Sequence, residues 1–168
     1  MKILTVFTFS LACLMSFASS AESTGAYQNP LPIATNLKTL GQQALKQNIP
    51  IAILFSAKGL NSTEKLKDLA LYPALRSGNL DGRVLFTEIE VNVDSKTVDF
   101  YGEPLANKEY KALYNLSSLP VVIFVDGEGE EITEQLLSGA YDYYYFYLTQ
   151  SINNALKALN NPNLIPDL

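Results

Sequence analysis

The 168-residue chain is 48% hydrophobic and 17% charged, which suits one ordinary globular domain with a sizeable core. Its 17 acidic residues outweigh 12 basic ones for a net charge of −5. With no basic cluster, a nucleic-acid partner held by counterion release is excluded, and adsorption to anionic membranes is disfavoured.

The amino terminus has the pattern of a secretory signal at 1–21. Lys2 is a short positive region, Ile3 to Phe17 is apolar or small, and Ser19-Ser20-Ala21 suits a signal peptidase, with cleavage expected before Glu22. An apolar stretch of about 15 residues falls short of the ~20 needed to span a bilayer, so no spanning segment is expected after cleavage. Cys13 is the one cysteine, and it lies inside this segment. The processed chain would then lack a thiol, which removes disulfides, thiolate catalysis and cysteine metal sites. A second reading takes Leu11-Ala12-Cys13 as a lipobox and Cys13 as the anchor of a lipoprotein, although the apolar run continues past it through Leu14, Met15 and Phe17.

Residues 22–35, with Gly25, Pro30 and Pro32, read as an extended lead-in, with a short edge strand near Leu31 to Ala34. Leu37, Leu40, Ala44 and Leu45 have helical spacing behind the cap Asn36, and Asn48-Ile49-Pro50 stops that helix. Ile51 to Phe55 is a short apolar run of the kind buried on both faces of a sheet. Asn61, Ser62 and Thr63 are successive cap candidates for the next helix, which Pro73 is expected to break or kink, with Ser77-Gly78 at its end. Val84 to Val93 is rich in β-formers and opens at Asp81-Gly82, so two strands flank a helix and should be parallel neighbours. Asp94 to Ala106 reads as a turn-rich loop. Asn107 to Tyr114 reads as a helix with Tyr110, Leu113 and Tyr114 on one face. Leu119 to Val125 is a buried strand headed by Pro120, and Asp126-Gly127-Glu128-Gly129 turns it into a hairpin with Glu130 to Leu137. Asp142 is the expected cap of a last helix with Tyr145, Leu148, Ile152, Ala155, Leu156 and Leu159 on its inner stripe. The tail 160–168, with Pro162 and Pro166, is expected to be loose. The sum is an α/β domain over 36–159: a parallel βαβ half and a ββα half, with a central mixed sheet flanked by helices in three layers.

This order, with two local matches, resembles the thioredoxin-like superfamily, nearest to bacterial periplasmic thioredoxin-related proteins. Ser117-Ser118-Leu119-Pro120, the strand Val121 to Val125, Asp126-Gly127 and Gly139 look like the family's cis-proline strand, hairpin and following glycine. The strand Ile51 to Phe55 and the helix after it stand where relatives carry CxxC; aligned on Leu66, Leu60 and Thr63 occupy the two cysteine positions. The resemblance implies a cis Leu119-Pro120 peptide whose loop lies against Leu60, Asn61, Ser62 and Thr63, with backbone groups free to pair with an extended peptide. A proline that simply fixes the turn is the competing reading. Dithiol exchange is not implied, because it needs a thiolate and a resolving thiol. Leu60 has no nucleophile, and no histidine exists to activate Thr63.

Elsewhere each constellation has two readings. Six aromatics crowd Tyr141 to Tyr147, more than one helix stripe can bury, so Tyr143, Tyr144 and Tyr147 are a candidate interface or else a cover for the hairpin and tail. Lys58 precedes the helix start, as an anion ligand beside its free N–H groups or as a solvated lysine. Asp126, Glu128 and Glu130 alternate as in calcium loops but lack the glycine and distal glutamate of an EF-hand. Asn61-Ser62-Thr63 and Asn115-Leu116-Ser117 match the glycosylation acceptor pattern, which matters only on a eukaryotic route. No phosphate-binding glycine loop, catalytic triad or zinc spacing occurs, so no cofactor and no metal are expected.

The expected function is a non-redox module of the cell envelope, periplasmic or secreted, that binds a protein or peptide partner or serves as a scaffold. The alternative is a glutathione-handling enzyme in which Ser62 or Thr63 and a helix terminus stabilise a thiolate supplied by the substrate.

Overall fold

The computed structural model describes residues 31–166. The expected signal, Cys13 and residues 22–30 of the lead-in lie outside them.

Ile51–Ser56 (β1) is buried at every position, because helices cover both faces of the sheet it centres. It pairs in parallel with Leu85–Glu90 (β2), Ile51 opposite Leu85 and Ser56 opposite Glu90. On its other side it pairs antiparallel with Val121–Val125 (β5), Ile51 opposite Val125 and Phe55 opposite Val121. Leu136–Leu137 (β6) adds to β5 and closes the order β2-β1-β5-β6. At the β2 edge Ile33 bridges Glu88 in parallel, and Pro32 and Ala34 hydrogen-bond the Glu88 backbone. This is the short edge strand read from the lead-in. The βαβ half, the hairpin and the mixed sheet between helices agree with the sequence reading.

The period of two along the strands sorts the core. Ile51, Ile53, Phe55, Val121, Ile123 and Val125 pack with Leu37, Ala44, Tyr110 and Tyr114. Those partners come from Leu37–Gln47 (α1) and from Tyr110–Leu113 (α4) with the residue after it. Ala52, Leu54, Phe86, Val122 and Phe124 pack on the opposite face with Leu66, Leu71, Leu148, Ile152 and Leu156, from Asn61–Leu66 (α2), the turns after it and Tyr141–Ala158 (α5). Asn36 caps α1 as expected, accepting from Thr39 N at 2.9 Å, and Asn48 ends it in the left-handed conformation.

Several local expectations need correcting. The cap of α2 is Leu60, not Asn61, Ser62 or Thr63. Its backbone is extended, and its carbonyl accepts from Thr63 N at 2.9 Å and Glu64 N at 3.3 Å, so the polar trio lies inside the first turn. Pro73 does not break the helix. Lys67–Leu71 forms a π-turn that leads into Tyr72–Arg76 (α3), with Tyr72 N bonded to Lys67 O. The widened turn comes just before the ring that would crowd a regular helix. Residues 94–106 are not simply loop: Lys96–Val98 (β3) and Pro104–Ala106 (β4) pair as an antiparallel ribbon. Asn107–Glu109 is a 3₁₀ turn into α4, and only Tyr110 and Tyr114 of its expected face are buried, Leu113 being exposed. Ala140, at φ 42°, rather than Asp142, precedes α5, and Asp142 stands in its first turn. The tail is docked, not loose. Asn153 brackets Ile165 by donating to its carbonyl (2.9 Å) and accepting from its N–H (2.7 Å), and Asn161 donates to Asn48 O at 2.7 Å.

Candidate functional site

The loop from β1 to α2 is pinned by a side chain from the turn that follows β2. Asn92 Oδ1 accepts from Lys58 N at 2.7 Å and Asn92 Nδ2 donates to Lys58 O at 3.0 Å, a two-point clamp on the loop backbone. The Lys58 side chain is exposed. Beyond it Leu60 is 37% exposed, Asn61 is exposed and Ser62 half-buried, while Thr63 is 1% exposed, its Oγ1 without a partner among the described residues.

Antiparallel pairing of Phe55 with Val121 puts Leu119 and Pro120 at the carboxyl end of β1, the end from which the loop to Leu60 departs. The Leu119–Pro120 peptide bond is cis. Pro120 is buried and Leu119 half-buried. Among the described residues no hydrogen bond engages the backbone of Ser118 or Leu119, so these groups stand at a sheet end with their pairing capacity unused. The two segments thus share one end of the sheet. Four cavities of between about 270 and 410 Å³ lie elsewhere and include none of Leu60 to Thr63, Leu119 or Pro120 in their walls.

Directly beneath the same end is a buried polar node that the sequence reading passed over. Glu88 has the parity of Phe86 and Ser56 that of Leu54, so both side chains face the α2 layer. Glu88 is fully buried, and its Oε1 accepts from Ser56 Oγ at 2.5 Å and Lys67 Nζ at 2.6 Å. Lys67 begins the π-turn. Burial alone would lower its pKa, but the hydrogen bond and charge of Glu88, with Tyr72 and Glu64, outweigh that and hold it above the ordinary lysine value. Glu88 Oε2 has no partner among the described residues. The available signal was Glu88 itself, a charge at the inward parity set by Phe86 in β2. Its partner, on a helix, could not be read from spacing.

The chemistry open to this arrangement is limited. The described residues hold no sulfur nucleophile, Thr63 is closed to solvent, and Ser56 and Glu88 are equally enclosed. The node therefore ties helix to sheet rather than meeting a substrate. No group of three or more His, Cys, Asp or Glu side chains suited to a metal occurs among the described residues. Asp126 Oδ1 accepts from Glu128 N (2.8 Å) and Glu130 N (3.0 Å), shaping its own turn.

The aromatic stretch divides differently from expectation. Tyr144 is 1% exposed and belongs to the core, not to an interface; burial pushes its hydroxyl pKa up, and its Oη has no partner among the described residues. Tyr143 and Tyr147 are exposed as expected, and Phe146 joins them, its ring 5.5 Å from that of Tyr147. Helical spacing of three and four puts these three on one outward face.

No protein-family model and no curated protein matches the chain. Solved structures do. A DsbH oxidoreductase is 18% identical over 88% of this chain and 95% of its own, with a TM-score of 0.52. A mutant of a poplar thioredoxin h is 12% identical over 75% of this chain and 84% of its own, with a TM-score of 0.50. At such identities the likeness shows the fold, which is thioredoxin-like. No described helix is long and apolar enough to cross a membrane.

Proposed function

We propose that this thioredoxin-like chain is a non-redox module of the bacterial cell envelope that binds a protein or peptide partner along the edge formed by Leu60 to Thr63 and Ser118 to Pro120. The observation that carries the reading is the Ser118–Leu119 backbone, free of hydrogen bonds among the described residues and at the sheet end from which the loop to the exposed Leu60 departs. An extended segment laid there would gain main-chain hydrogen bonds, with Leu60 offering an apolar contact. Envelope location rests on the expected signal at 1–21, or on lipidated Cys13 in the second reading, and the domain limits 36–159 rest on the element order.

Titration of the purified chain with extended peptides, followed by amide chemical shifts, tests the proposal. Shifts are expected at Leu60 to Thr63 and Ser118 to Val121, and Leu60→Asp should abolish them. Shifts confined to other surfaces would overturn the edge reading. Measured reduction of a disulfide substrate by the Cys13→Ser chain would overturn the non-redox reading.

The glutathione alternative has less support, because the hydroxyl of Thr63 is closed to a substrate sulfur. Heat released on adding millimolar glutathione would reinstate it through Ser62. The outward face of Tyr143, Phe146 and Tyr147 favours a second contact surface; light scattering that shows a strict monomer at high concentration would remove self-association as its role.

A further inference from the structure

Between α4, the β3–β4 turn and the turn that follows β5, the chain forms a cavity of about 410 Å³. The volume lies within the range of small-molecule sites. Four rings line it: Phe100 and Tyr101 from the β3–β4 turn, and Tyr110 and Tyr114 from α4 and its end. The two tyrosines on the α4 side are anchored by their hydroxyls, Tyr110 Oη donating to Thr97 O at 3.3 Å and Tyr114 Oη to Gly129 O at 3.0 Å. Phe100 packs on Gly129, so closely that a Cβ there would meet its ring at 2.4 Å. Glycine at φ 93° is what lets the turn approach the ring.

The charged side chains of the wall are all acidic. Asp99, Glu128, Glu130 and Glu131 line the cavity, and no lysine or arginine does. Two of these carboxylates have work within the fold: Asp99 Oδ1 accepts from the N–H groups of Tyr101, Gly102 and Glu103, and Glu131 Oε1 accepts from Gln135 Nε2. The carboxylates of Glu128 and Glu130 engage no described side chain or backbone group. Lys38 lines an adjoining cavity that shares Phe100, Tyr101, Glu128 and Glu130 with this one; it donates to Tyr101 O at 3.3 Å and forms no ion pair among the described residues. The Tyr114 hydroxyl is raised well above the ordinary tyrosine pKa, first by burial and then by Tyr110 and the negative charges of Glu131 and Glu130. Those charges therefore act on the ring wall itself.

From the half-buried Phe100 and exposed Tyr101 over a floor of the buried, hydroxyl-anchored Tyr110 and Tyr114, beneath an acidic rim, we infer that this cavity binds a small organic cation, an alkylated ammonium carried on a compact apolar body. Aromatic faces and carboxylates both attract such a cation, and its methyl groups lose little hydration on entry. A hydrated metal ion would not use the rings. An anion would meet only repulsion. The site is independent of the Leu60 edge, so either reading can fail without the other.

The test is an NMR titration of the purified chain with choline and with its uncharged isostere 3,3-dimethylbutan-1-ol. Choline is expected to give saturable shifts at Tyr101, Leu113 and Gly129 that weaken as ionic strength rises, with the isostere markedly weaker. Tyr101→Ala and Glu130→Gln, both at exposed positions, should each weaken choline by about two- to fivefold while thermal melts stay unchanged. Equal binding of the two probes, absence of saturable choline shifts at these residues, or no loss in Tyr101→Ala would each overturn the inference.

Discussion

Replacing Lys67 by methionine isolates the energetics of the buried node. Methionine keeps the apolar stem and deletes the ammonium, so Glu88, fully buried, retains only Ser56 as a partner, and that only on Oε1. Removing one member of a buried pair costs about 3–5 kcal/mol, much of it the stranded charge. Out of a total of roughly 5–15 kcal/mol this is a large share, equivalent to a fall in melting temperature of about 6–20 °C for a domain of this size. Urea denaturation and thermal melts followed by circular dichroism measure it. A carboxyl group left without its cation in a dry site has a raised pKa, so the folded state takes up the proton first, and the deficit of Lys67→Met should shrink as pH falls from 7 towards 5. The double variant Lys67→Met/Glu88→Met should recover most of the loss, since apolar replacement of a whole buried pair is often neutral. The intact chain has the opposite sensitivity. Lys67 has a folded pKa above its ordinary 10.5, so its contribution is complete below that value and is lost as pH rises through the folded one. A loss below about 1 kcal/mol for Lys67→Met, the size of a surface pair, together with a flat pH profile, would refute the reasoning.

Gly41→Ala should destabilise by about 1–3 kcal/mol, against the usual helix gain of alanine, because a Cβ there would meet Gly127 O at 2.3 Å; a raised melting temperature would contradict this. Tyr144→Phe should be neutral or stabilising by up to about 1 kcal/mol, since it removes a buried hydroxyl without a partner, whereas Tyr144→Ala should cost about 3–5 kcal/mol; chemical denaturation separates the two. Asn92→Ala should cost about 1–2 kcal/mol by releasing both hydrogen bonds to Lys58, and should speed amide exchange at Lys58 to Leu60 while leaving that of β5 unchanged.

The sequence was most readable where a single period governed a segment. Ile51 to Phe55 and Val121 to Val125 announce strands covered on both faces, and every residue of each is buried. Asn36 reads as a cap because its side chain is the natural acceptor for the first helical N–H groups. The same rule failed at Asn61 to Thr63. There the extended Leu60 backbone started the helix one residue earlier, and tertiary placement overrode side-chain preference. Tyr144 could not be told from Tyr143 and Tyr145 by composition, since burial in a run of like residues depends on the rotation of the helix about its axis. The junction's missing thiols were plain in the sequence. The Lys67–Glu88 pair and the cavity under Tyr101 were not, because each joins residues far apart along the chain.

The π-turn at Lys67–Leu71 gives this helix a surplus residue, and a surplus can be lost by deletion. Removing Leu69, a residue 61% exposed, would let the segment close into regular turns while the stretches on either side keep their relation, since the widened turn is what absorbs the extra residue. Lys67 would stay on Glu88, and the deletion should melt close to the intact chain and well above Lys67→Met. A second deletion would have no surplus to draw on and would turn the two stretches about 100° apart.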